Sequence, residues 1–150
     1  MTKFNLEDFL PYQLAVLAEN TSRAFESEYR ARFGIGVAEW RVVAHLSQSS
    51  SVSVRDIQKR VAMEKSRVSR AATRLEKAGY VVRQPDPNDG RLIALALTES
   101  GHQMIRTLAP IARAFEKRLL KTLADDSDTF RRCVTALLEA RDDKRKATTI

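Results

Sequence analysis

Two short helix-period segments, separated by a tight turn and followed at once by an alternating hairpin, constrain this chain more than any other feature. In residues 53–61 (SVRDIQKRV) Ser53 is placed as an N-cap with Asp56 three residues on, a partial capping box, and Val54, Ile57 and Val61 share one face. Residues 64–79 (EKSRVSRAATRLEKAG) put Val68, Ala71 or Ala72, Leu75 and Ala78 inward and end on Gly79. Only a short turn near Ala62 and Met63 lies between them, which is helix-turn-helix spacing. Two strand-like runs follow, residues 80–85 (YVVRQP) and 91–97 (RLIALAL), joined by the turn formers DPNDG. Pro85 and Pro87 are expected to keep the hairpin tip from pairing further. A helix-turn-helix followed directly by a hairpin has the order of a winged helix.

Helices are expected on both sides of this module. Over 8–33, Leu10, Leu14, Leu17, Thr21, Ala24 or Phe25, and Glu28 or Tyr29 recur at three- and four-residue steps, and Gly34 offers a left-handed cap. Over 37–48, Trp40, Val43, Ala44 and Leu46 point inward, until QSSSVS ends the helix. Thr98 caps a helix from 99 to about 123 with the stripe Met104, Leu108, Ile111, Phe115 and Leu119. Pro110 removes one backbone hydrogen bond there and should bend it. Asp125, Asp126 and Ser127 punctuate, and a last helix, about 127–143, carries Phe130, Val134, Leu137 and Leu138. The tail RDDKRKATTI is polar and expected to fray. The expected fold is mainly α with a small β-hairpin wing.

Charge separates the same regions. The chain of 150 residues has 26 Lys and Arg against 19 Asp and Glu, a formal net charge of +7. Residues 55–91 hold ten basic and five acidic residues, whereas residues 1–30 hold three and five. A positive charge concentrated in one module is the footprint of a polyanion site. One cysteine, Cys133, permits no disulfide within the chain and no Cys/His zinc pattern, so neither metal nor other cofactor is expected. MTKFNLEDFLPY is unlike a signal peptide, and no uncharged run approaches the roughly 18 apolar residues of a membrane span. A cytoplasmic protein with no membrane partner is expected. An enzyme is not, because there is no Gly-rich phosphate loop, and His45 and His102 lie in different helices without an evident acid partner.

On a helical wheel the inner stripe of 64–79 leaves Lys65, Ser66, Arg67, Ser69, Arg70, Thr73 and Arg74 outward. Four cations and three small hydroxyls suit a major groove, since Arg bonds guanine bidentately and Ser or Thr bonds bases or phosphates. The first turns of such a helix enter the groove, which makes Lys65 to Arg70 the base-edge candidates and leaves Arg74 nearer a phosphate. A merely solvated basic face is the plainer alternative. The hairpin tip holds Asp86, Asn88, Asp89, Gly90 and Arg91. An Arg at a wing tip is drawn into the minor groove, and Asp89 can hold its guanidinium in one pose. An ordinary charged turn fits the same spacing. Double-stranded DNA is the expected partner. A sequence-specific regulator and an architectural binder with little sequence preference both fit, although hydroxyls among the cations favour base reading.

The stretches VAEWRVVAHL and SVRDIQKRVAMEKSRVSRAATRLEKAGYVVRQPDPNDGRLIALALTESG resemble the MarR family of bacterial transcription regulators. Asp89, Arg91, Leu95, Leu97, Thr98 and Gly101 match its D-x-R…L-x-L-T-x-x-G pattern, and the likeness runs from about Phe9 to Leu138. The resemblance implies one domain over 1–150, with a winged helix-turn-helix at 37–97 and dimerisation helices at 8–33 and 99–143. It implies a homodimeric repressor reading a near-palindromic operator, with Arg91 in the minor groove and Asp89 supporting it. Gly90 departs from many relatives, which carry Arg there, so a poorer phosphate contact is expected. Relatives often respond to a small, commonly aromatic ligand. Tyr12, Trp40 and His45 are the candidates to line such a pocket, with core packing the plainer role for Trp40. Others sense oxidants through a cysteine near the N-terminus, where this chain has none. Cys133, after Arg131 and Arg132, fits either a sensitised thiol or a packing residue.

Overall fold

The computed structural model describes residues 3–61 and 63–147. The elements, in chain order, are α1 (Leu10–Phe33), α2 (Val37–Leu46), β1 (Val52–Ser53), α3 (Val54–Arg60), α4 (Lys65–Lys77), β2 (Val81–Pro85), β3 (Ile93–Leu97), α5 (Glu99–Lys121), a 3-10 turn (Ala124–Asp126) and α6 (Ser127–Ala147). Of the turn expected between α3 and α4, Ala62 lies outside the described residues and Met63 is half-buried.

The fold divides into two compact units, one ending at Ala112 and the other starting at Arg113. The first holds the core. From α2 come Ala38, Val42, Val43 and Leu46; from α3 and its end, Ile57 and Val61; from α4, Val68, Ala71, Ala72 and Leu75. Met104 and Leu108 of α5 and Tyr29 of α1 close it. Trp40 stacks on Tyr29 at 5.5 Å between ring centroids, and Phe25 meets both rings edge-on at 5.3 Å. Burial pushes the Tyr29 hydroxyl up to about 12, with the Glu26 carboxylate adding to the rise.

Several expectations need correction. The hairpin belongs to a three-stranded antiparallel sheet, ordered β1-β3-β2, because Val52 and Ser53 pair with Leu95 and Ala94. Pro85 is paired in register with Ile93, since an edge strand can carry a residue without an N–H. On α2 the inward face is rotated: Ala38, Glu39 and Val42 are buried, whereas Trp40 and Ala44 are half-buried. Ala78 is exposed, as the last turn of α4 has left the core. Helix α6 continues through Ala147 where fraying was expected. The α1 stripe is no correction, because it is longer than one small domain can cover: only Tyr29 is buried, and Leu10, Leu14 and Leu17 stand exposed in the single chain. Gly34 does take the left-handed cap position, at φ 65°, and its N–H bonds the Arg30 carbonyl at 2.9 Å.

The return from sheet to α5 is tightly tied. Thr98 Oγ1 accepts the Gly101 N–H at 3.2 Å and donates to the Gly79 carbonyl at 2.6 Å. The Thr98 N–H bonds the Tyr80 carbonyl at 3.0 Å. A Cβ at Gly101 would collide with that same backbone oxygen. In the second unit, Ala124 takes φ 45° to turn the chain into α6, and Arg131 pairs with Glu116 at 3.0 Å. Phe130, Val134, Leu137 and Leu138 of α6 are exposed.

Gly101→Ala is expected to lower stability by about 2 kcal/mol through overpacking against backbone that has no room to shift. Urea denaturation at one fixed protein concentration checks it, and a loss under 0.5 kcal/mol would show that the junction yields.

Candidate nucleic-acid interface

Helix α4 exists in this position because four apolar side chains, at steps of three, one and three residues, sit on α2, α3 and the sheet. Val68, Ala71 and Ala72 are fully buried and Leu75 is 1% exposed. Helical geometry then leaves no choice for the other face. Lys65, Ser66, Arg67, Ser69, Arg70, Thr73 and Arg74 are all exposed, as the wheel places them. The helix begins after Glu64, whose extended backbone starts it without a side-chain cap, and the Arg67 and Val68 N–H groups bond the Glu64 carbonyl.

The seven differ in what they touch. Lys65, Ser66, Arg67 and Arg70 have no side-chain partner among the described residues. Ser69 Oγ accepts from Gln58 Nε2 of α3 at 3.4 Å. Thr73 Oγ1 donates to the Ser69 carbonyl at 3.1 Å and accepts from Arg83 Nη2 of β2 at 3.2 Å. Arg83 Nε also reaches Glu76 Oε1, at 3.3 Å. The Arg74 guanidinium pairs with Glu39 of α2, a residue only 8% exposed. Sequence reading missed Glu39 and Arg83. Glu39 sits among inward-facing residues, so a wheel flags only an anomaly, and Arg83 belongs to another element.

At the wing, Asp86 Oδ1 accepts the Asn88 and Asp89 N–H groups at 2.8 and 3.1 Å and shapes the turn. The Asp86 N–H bonds the Leu92 carbonyl at 2.9 Å. Arg91 Nε donates to Asp89 Oδ1 at 3.1 Å and Nη2 to Oδ2 at 3.3 Å, a two-point grip. These bonds, with the Arg91 N–H, hold the Asp89 carboxyl below its usual range. The pair therefore forms above that lowered value and is lost as pH falls through it. Arg91 remains 90% exposed, so the grip orients its guanidinium without hiding it. Gly90 has open space where a side chain would stand.

The other candidates have separate surroundings. Tyr12 lies in a groove with Glu7, Gln13, Val16, Leu17 and Asn20. Trp40 is taken up by Tyr29 and Phe25, and the His45 ring bonds the Arg41 carbonyl at 2.8 Å through Nδ1. Cys133 is exposed, with Arg131 paired to Glu116 and Arg132 donating to Thr129 Oγ1 at 3.1 Å. Among the described residues there is no cluster of three or more His, Cys, Asp or Glu able to hold a metal, and no helix long and apolar enough to cross a membrane.

Residues 33–92 match the sequence profile of the MarR family. A MarR family transcriptional regulator from Silicibacter pomeroyi is 32% identical and superposes with a TM-score of 0.80, covering 92% of this chain and 98% of its own. A MarR/EmrR family regulator from Acinetobacter sp. ADP1 is 28% identical with a TM-score of 0.80, over 94% of this chain and 99% of its own. The HTH-type transcriptional repressor IacR of Pseudomonas putida is 27% identical over 123 residues, 82% of this chain and 73% of that protein. Members of this family are transcriptional regulators, not enzymes. With a helix-turn-helix, a wing and a basic outward face in the family's arrangement, the chain belongs to the MarR family and is a DNA-binding transcriptional regulator.

Proposed function

We propose that the protein is a homodimeric repressor of a near-palindromic operator, with α4 of each subunit in the major groove and the β2–β3 tip in the flanking minor groove. One observation carries the reading. Lys65, Ser66, Arg67 and Arg70 occupy the first turns of α4, exposed and without partners among the described residues, while the other face is fully buried. Unpaired cations with an intervening hydroxyl are free to trade water for base edges and phosphates. The Asp89 grip supports a minor-groove role for Arg91, since a fixed guanidinium loses less freedom on insertion.

Dimerisation is supported by unpartnered apolar faces. Leu10, Leu14 and Leu17 of α1 and Phe130, Val134, Leu137 and Leu138 of α6 are 37–63% exposed in the single chain. A second copy covering them removes an association hazard. It also sets two recognition helices about 34 Å apart on one duplex face. Repression follows the named role of the Pseudomonas putida relative. For an effector, the Tyr12 groove is the supporting feature, because Trp40 and His45 are committed to packing and to a backbone bond.

The test is selection of bound duplexes from a randomised pool, followed by competition. A recovered palindrome preferred strongly over random duplex supports the reading, and equal affinity for both favours an architectural binder. Arg67→Ala or Arg70→Ala should cost about 1–3 kcal/mol on the selected duplex if that side chain grips a guanine, and less on random DNA. Arg91→Ala should weaken binding most where the flanking base pairs are A·T, and unaltered affinity on all flanks would refute the wing role. Gly90→Arg, entering open space, should steepen the salt dependence by about 0.9 log units per subunit for each tenfold change in salt.

A further inference from the structure

The geometry points to a division of labour on α4 that the outward face alone does not reveal. We infer that Arg74 and Thr73 are anchors that fix the helix in register, held by Glu39 and Arg83 as positioning residues, and that DNA contact belongs to the part of the helix from Lys65 to Arg70. This rests on the DNA-binding reading above and assigns roles within it.

The two anchors lie one helical turn beyond the exposed cations and tie α4 to different elements. Arg74 is held by Glu39 of α2, whose carboxylate is 10% exposed. If Arg74 turned to a phosphate, the nearly buried Glu39 carboxylate would lose its ion-pair partner and keep only the nearby Arg30 charge, which is costly. Thr73 has one hydroxyl hydrogen, already given to the Ser69 carbonyl, and accepts from Arg83 on β2. The same guanidinium reaches Glu76 on the next turn, so one wing residue holds α4 at two points. Arg83 thereby links the groove-facing helix to the strand that carries the wing tip with Arg91. Neither Lys65, Ser66, Arg67 nor Arg70 has such a partner among the described residues. Helix α4 is thus clamped along its C-terminal half, from Glu39 on one side and Arg83 on the other, while in its N-terminal half only Ser69 has a side-chain partner among the described residues, Gln58 of α3.

The test measures operator affinity of the full chain against salt concentration, using the duplex recovered from the randomised pool. Each lost phosphate contact should flatten the slope by about 0.9 per subunit. Arg74→Gln is expected to lower the thermal midpoint and keep the wild-type slope. Glu39→Gln, which releases Arg74, is expected to steepen the slope by about 0.9 per subunit. Arg83→Gln and Thr73→Val should broaden base preference at the same positions, with the double variant no worse than either single one. For Glu39, Arg83 and Thr73 a purely structural role would shift the melting temperature without moving slope or base preference, and that result would overturn the inference. The inference is overturned if Arg74→Gln flattens the slope by about 0.9 per subunit, or if the Arg83 and Thr73 effects add. Salt-independent binding by the wild type would overturn the DNA-binding reading itself, and this inference with it.

Discussion

The burial of one face of α4 is the constraint on which the interface depends. A helix of this length is marginal alone in water, so packing rather than propensity holds it. Burying a side chain such as Val68 or Leu75 contributes about 1.5–3 kcal/mol each. Ala71 and Ala72 add little area, but being small they let α2 come close. The cations are displayed because the helix has only one way to bury its apolar stripe. Their mutual repulsion is tolerated at exposed positions, where water and salt screen it.

The second constraint is the junction around Thr98. Its hydroxyl joins Gly79, just beyond the end of α4, to Gly101, at the start of α5. The adjacent Tyr80 carbonyl accepts the Thr98 N–H and leaves no room for a side chain at Gly101. Three elements therefore share one small knot: α4, the sheet and α5. The threonine and glycine of the D-x-R…L-x-L-T-x-x-G pattern are explained by it, since no bulkier residue fits beside that carbonyl and the cap needs a short hydroxyl.

Carboxylates set where the positive charge is available. Glu39, Glu76 and Asp89 each hold an arginine: Arg74, Arg83 and Arg91. The first two pairs consume cations for internal geometry. The third differs, because Arg91 stays almost wholly exposed while its direction is fixed. Exposed ion pairs such as this contribute little to stability, so the wing pair matters for orientation.

Local pattern determined a good deal. Periodicity located each long helix among the described residues, because apolar and polar residues alternate at helical spacing whether or not the apolar face is covered in the single chain. The Ser53 and Thr98 caps and the Gly34 terminus are short-range and were legible from spacing, whereas spacing left an Asp89–Arg91 pair and an ordinary charged turn equally open. The seven outward residues of α4 were legible for the same reason. Tertiary structure decided what no window of sequence contains. Strand β1 is two residues long and exists only because β3 passes beside it. The true inner face of α2, with Glu39 turned inward, depends on Arg74, 35 residues away. Arg83 reaches Thr73 only because the wing folds back along α4. Spacing along one element sets which side chains share a face, but partners brought together from distant elements decide which of those side chains remain free to meet DNA.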